Sequence, residues 1–210
     1  MVPFEGIIAG PFLGASAAFI GVVVGRFSKP EFFFVENFFG IAEPAGAFAA
    51  GLLFTKRWKI VAAIYLLLLG VFFLHPLARL IPMWTLWDIY VAFFAIFPAA
   101  VVVRRTSQDS TDIRSLFFSL ALVTFVSVEL DVLIRVFMLT VLGLYQAYPI
   151  PTDLLPEIFI AGALTTPLEA AYAVVACTLV GVPLMISLEK SGLLRLMNSD
   201  KRPKRTIQHW

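Results

Sequence analysis

The sequence predicts an all-α integral membrane protein, a bundle of about six transmembrane helices. Apolar residues make up 60% of the 210 positions and only 14% are charged, against about 25% in soluble domains. Apolar stretches of span length recur along the chain, separated by short polar or proline-bearing gaps. A soluble domain of this size has too little interior to hide 21 Phe and the aliphatic residues beside them. Membrane spans hide that surface in lipid instead.

Six stretches carry the pattern, at about 5–25, 38–55, 58–81, 87–104, 113–144 and 157–188. No basic run precedes the first, and Glu5 stands where a secretory signal places Lys or Arg, so it reads as a retained span. Within it Gly10, Gly14 and Ala18 lie four apart, and Ala17, Gly21 and Gly25 form a second row. Small residues at this spacing let a second helix approach closely. That helix belongs either to the same chain or to another membrane subunit docking on this face.

The gaps carry the breakers. Lys29-Pro30 follows the first stretch, TKRWK (55–59) separates the second from the third, and Pro82 precedes the fourth. The segment RRTSQDSTDIR (104–114) is polar, with Thr111 or Asp112 placed to cap the fifth span. Three prolines lie in 145–156. The last two stretches exceed a simple crossing, because 32 residues of helix reach about 48 Å against a hydrocarbon core of about 30 Å. The fifth is expected to tilt or project. The sixth is expected to start as a short helix near the outer surface and turn into its span at Thr166-Pro167.

Charge sets the orientation. Of the 16 Lys and Arg, all but Arg26, Lys29, Arg79 and Arg135 fall in TKRWK, in the 104–114 loop or after Glu189. Six spans place those regions on one face, which the positive-inside rule makes cytoplasmic. The expected organisation is one transmembrane domain over 1–190 and a basic cytoplasmic tail over 191–210, a multi-pass protein of the cell membrane with both termini cytoplasmic. KRPKR (201–205) in that tail reads as an orientation signal touching anionic lipid rather than nucleic acid.

The most informative residues interrupt the fifth stretch: Glu129, Asp131 and Arg135. A charge at the depth of a bilayer costs about 2.5–3.5 kcal/mol on insertion scales, so such residues are functional candidates by default. Thr124, Ser127, Asp131 and Arg135 share one helical face, where Asp131 and Arg135 can pair. Glu129 lies about 200° round from Asp131 and faces a different neighbour or a cavity. Asp131 falls about 26 Å along the span, in the outer half of the membrane. Other segments bring polar groups to the same level: Thr165, Glu169 and Tyr172 in the sixth stretch, His75 and Arg79 in the third, and Trp84, Trp87 and Asp88 in the loop beyond it. Glu36 and Glu43 lie near an outer loop and are expected to be solvated.

This pattern predicts a pocket for a small polar solute. Asp131 and Arg135 would be its hydrogen-bonding pair, Glu129 and Glu169 would contact a cationic or donor-rich ligand group, and Trp84 and Trp87 would cover a flat ring. His75 and Asp88 complete the candidate set. Enzyme chemistry is not expected: the chain lacks HExxH, GxSxG and the phosphate-binding lysine loop. The lone Cys177 reads as packing, and two histidines, one of them penultimate, give no dedicated metal site. No cofactor is expected. Without a nucleotide motif, energy for transport would come from an ion gradient or a partner.

The run IIAGPFLGASAAFIGVVVG (7–25), followed by EPAGAFAAGLLFTKRW (43–58), resembles the substrate-binding S components of energy-coupling factor transporters. The closing segment LPEIFIAGALTTPLEAAYAVVACTLVGVPLMISLEK (155–190) looks like the final helix of archaeal-type members. The resemblance implies a six-helix protein that binds a vitamin-like solute in an outward-facing pocket. It also implies docking on a transmembrane coupling subunit that carries two ATPases, with Asp131 and Glu169 at polar positions of the pattern. Two other classes compete: a non-transporting accessory subunit whose charges are interhelical staples, and an ion-coupled secondary transporter. No internal duplication favours the latter.

Overall fold

The computed structural model describes residues 2–26, 40–106, 112–147 and 150–191; Glu36, Thr111 and the KRPKR tail lie outside them. The described chain is helical with no strand. Its helices are α1 (Val2–Ala9), α2 (Pro11–Arg26), α3 (Ala42–Phe54), α4 (Trp58–Leu74), α5 (Trp87–Thr106), α6 (Ile113–Thr140), the single turn α7 (Leu144–Ala147) and α8 (Leu155–Lys190). Three-ten turns at Pro76–Arg79, Met83–Leu86 and Thr152–Leu154 fill the connections. The all-α membrane bundle is therefore as expected.

The six expected stretches divide unevenly. Three segments are long and apolar enough to cross a membrane: Met83–Thr106, Ile113–Thr140 and Thr152–Lys190. Three shorter apolar helices, Pro11–Gly25, Ala42–Phe54 and Trp58–Leu74, accompany them. At 1.5 Å per residue the 13 residues of α3 reach about 20 Å, short of a hydrocarbon core of about 30 Å.

α6 is the centre of the bundle, packing against α1, α3, α4, α5 and α8. Its core side chains Leu120, Val123, Val126, Leu130 and Leu133 meet Tyr65 and Phe72 of α4, Ile89 and Ile96 of α5, and Phe159 and Met185 of α8 in one apolar cluster. The Tyr65 hydroxyl donates to the Val126 carbonyl at 2.7 Å, joining α4 to α6. Asp112 caps α6, its side chain accepting from the Arg114 amide at 3.0 Å. Nearby, Thr106 bonds both Ser115 and Ser119 at 2.6 Å, tying the end of α5 to the start of α6. The outward faces remain apolar, with Phe94, Phe118, Leu168 and Leu179 all more than half exposed. A soluble monomer does not leave such a surface bare.

The first stretch is not one span. It breaks at Gly10, whose φ of +85° suits glycine, directly before Pro11, which disfavours helix in the residue ahead of it. α1 and α2 then fold back on each other, and both pack against α3. A Cβ added at Gly14 would stand 2.5 Å from Gly6 Cα, one at Gly6 1.8 Å from the Ala47 carbonyl oxygen, and one at Gly51 2.5 Å from Pro11 Cα. Three glycines thus bring three backbones into contact. Gly14 and Ala18 are buried within the chain. The exposed face of α2 carries Phe12, Leu13, Phe19, Ile20 and Val24 instead.

The sixth stretch also differs from expectation. α8 runs unbroken through both Pro167 and Pro183 rather than turning at Thr166-Pro167. Proline at 167 has no amide to give the carbonyl four residues earlier, that of Ala163. The indole Nε1–H of Trp87 donates to that carbonyl at 3.0 Å. A side chain from α5 thereby replaces the missing helical hydrogen bond.

Candidate functional site

The chain passes up and down, which sorts its charges. TKRWK, Arg104, Arg105, Arg114 and Lys190 stand at helix ends on one side of the bundle. The starts of α3, α5 and α8 and the end of α6 stand on the other. Between those ends lies a cavity of about 300 Å³. Its walls are Leu86, Ile89, Val132, Leu139, Ile158 and Phe159, and its polar groups are Thr85, Asp88, Asp131, Arg135, Thr166 and Glu169.

Arg135 organises one wall. Its Nε and Nη2 donate to the two carboxylate oxygens of Asp131 at 3.2 and 2.9 Å, a bidentate pair one helical turn apart. Nη2 also lies 3.5 Å from Glu43 Oε1 on α3. Gly46 allows this approach: a Cβ there would lie 3.1 Å from the Ser127 carbonyl oxygen and 3.6 Å from Asp131 Cβ. Glu169 on α8 is close enough to act electrostatically on the same guanidinium. Arg135 keeps 40% of its side chain exposed, so it is a cavity-wall group rather than a sealed one.

Asp88 forms the opposite wall. It is buried in the first turn of α5, accepts from the Ile89 amide at 2.9 Å, and accepts a hydrogen bond from the Thr166 hydroxyl of α8. This bond and the Trp87–Ala163 bond are made from consecutive residues of α5, and together they fix α8 against α5 along the cavity. Trp87 therefore shapes the site through its wall residue Ala163.

Glu129 lies outside the cavity lining. It is fully buried, and among the described residues neither carboxyl oxygen has a hydrogen-bond partner. Asp88 and Asp131, both wall residues, act on it electrostatically, and it acts in turn on Tyr65. The buried carboxyl thus sits behind the cavity wall.

Of the residues singled out in the sequence, the fold brings Asp88, Asp131, Arg135 and Glu169 into one cavity, with Glu129 behind it and Trp87 at its edge. Trp84 and His75 are not among the lining residues. Trp84 is exposed, and His75 Nδ1 accepts from the Leu77 amide at 3.4 Å, capping a three-ten turn. Tyr172 is also exposed. Sequence reasoning missed Glu43, Thr85 and Thr166. The available signal for Glu43 was its place one turn before Gly46 and Ala50, small residues four apart that mark a face for close helix approach.

Among the described residues no three His, Cys, Asp or Glu side chains are grouped to hold a metal ion. Cys177, the single cysteine of the chain, is buried among the α8 core contacts. Comparison with family models, with curated proteins and with solved structures gave no match.

Proposed function

We propose that this chain is a membrane-embedded substrate-binding subunit of the energy-coupling factor type, taking a small solute into the cavity between α5, α6 and α8. The observation that carries the reading is the cavity itself. It stands at the depth of charged side chains, at the helix ends opposite the basic turns. By the positive-inside rule that end faces away from the cytoplasm. Its apolar walls and few convergent polar groups are the make-up of small-molecule sites, and its volume lies at the lower end of their range. A subunit of this type delivers its solute through a transmembrane coupling partner driven by two ATPases.

The accessory-subunit reading draws on the Glu43–Arg135 ion pair, which joins α3 to α6 and would serve as a staple without any ligand. Native mass spectrometry of the detergent-purified protein separates the two. A retained small molecule that disappears in Asp131→Ala, with membrane insertion unchanged, supports capture. A ligand-free chain that copurifies with another subunit and loses it on charge removal supports the staple.

A further inference from the structure

We propose that the cavity selects an organic cation: a small, mainly apolar body bearing one amidinium or ammonium group. The inference rests on the solute-capture reading and names its ligand class. Asp88, Asp131 and Glu169 line the cavity, and Glu43 reaches its edge through Arg135. Among the described residues Arg135 is the single cationic one in the lining. Its guanidinium is directed at Asp131 through two hydrogen bonds and at Glu43 through an ion pair. A ligand carboxylate or phosphate would have to displace those partners and then face Asp88 and Glu169. A ligand cation meets those two carboxylates without breaking the Arg135 pairs.

Glu129 adds a further acidic group behind the same wall. An ionised carboxyl buried with no hydrogen-bond partner is costly, and the cost falls when a positive charge comes near. Asp88 and Asp131, the charges that act on Glu129, are wall residues, so a cation held between α5 and α6 would lie near this carboxyl as well. The rest of the lining, from Ile89 to Val132, Leu139, Ile158 and Phe159, offers contact to an apolar body and few further hydrogen-bond groups.

Three probes of matching shape and different charge test this: benzamidinium, benzamide and benzoate, titrated calorimetrically into the full chain in lipid nanodiscs. Benzamidinium is expected to bind, at least about tenfold more tightly than either analogue, as follows from one charge-assisted hydrogen bond. Glu169→Gln is the variant of choice because Glu169 is exposed and its loss leaves the packing intact. It should weaken benzamidinium about tenfold while the far-ultraviolet circular dichroism and thermal midpoint stay unchanged. Equal binding of all three probes, or preference for benzoate, overturns the cation class and leaves solute capture standing. Absence of binding by any probe at millimolar concentration also overturns it, and native mass spectrometry then judges capture separately.

Discussion

Replacing Trp87 by Phe keeps an aromatic ring at the start of α5 and removes the indole N–H that serves the Ala163 carbonyl. Ala163 is 1% exposed, and Pro167 has no amide to substitute. The carbonyl is then left without a donor in apolar surroundings, a loss of about 1–3 kcal/mol. Pro167→Ala supplies an amide four residues on, restoring an ordinary helical bond to the same oxygen. In that background Trp87→Phe should cost less than about 0.5 kcal/mol, so the two substitutions should couple by about 1–2 kcal/mol. Reversible unfolding of the wild type, both single variants and the double variant, followed by circular dichroism in detergent, gives all four corners of the cycle. An equal cost of Trp87→Phe in both backgrounds would refute the argument that a side chain repairs the proline break.

Other outcomes follow from the same packing. Gly6→Ala places a Cβ on the Ala47 carbonyl oxygen and should destabilise by about 1–3 kcal/mol or more. Gly21→Ala meets nothing within 4 Å and should stay within about 0.5 kcal/mol in the same melts. Arg135→Gln takes away the guanidinium that pairs with both Asp131 and Glu43. Because the guanidinium is 40% exposed, the cost should be about 1–2 kcal/mol rather than the 3–5 of a sealed pair, as chemical denaturation would show. Glu129→Leu removes two unpartnered oxygens at similar volume, so stability should hold or rise by about 1 kcal/mol while benzamidinium affinity falls. A drop in stability of more than about 2 kcal/mol would show that the carboxyl is held by a partner in the folded protein.

The helices were largely legible because apolar runs and polar gaps are one-dimensional signals. Asp112 capping α6 and Cys177 as a packing residue both follow from local sequence. The Asp131–Arg135 pair was legible for the same reason, since a spacing of four fixes two side chains on one face. What escaped were features created between distant segments. The break at Gly10 is written in Gly-Pro, but an apolar run hides it, and nothing local says that α1 folds onto Ala47 and Gly51. Pro167 signals a missing hydrogen bond, while its remedy lies 80 residues earlier in Trp87. Glu43 looked solvent-facing beside a loop, and only the closeness that Gly46 permits between α3 and α6 brings it to Arg135. Glu129 and Asp131 are two residues apart, yet one is sealed and the other lines the cavity, because α6 is covered on both sides.

Solute capture requires a water-reachable cavity that opens away from the basic helix ends. Cysteine accessibility tests it directly: Glu169→Cys in a Cys177→Ala background, treated in intact cells with a membrane-impermeant thiol reagent. Labelling from outside, slowed when a cavity ligand is present and absent for Leu130→Cys in the sealed core of α6, is the predicted result. Labelling only after the cytoplasmic face is exposed, or none at all, would contradict it.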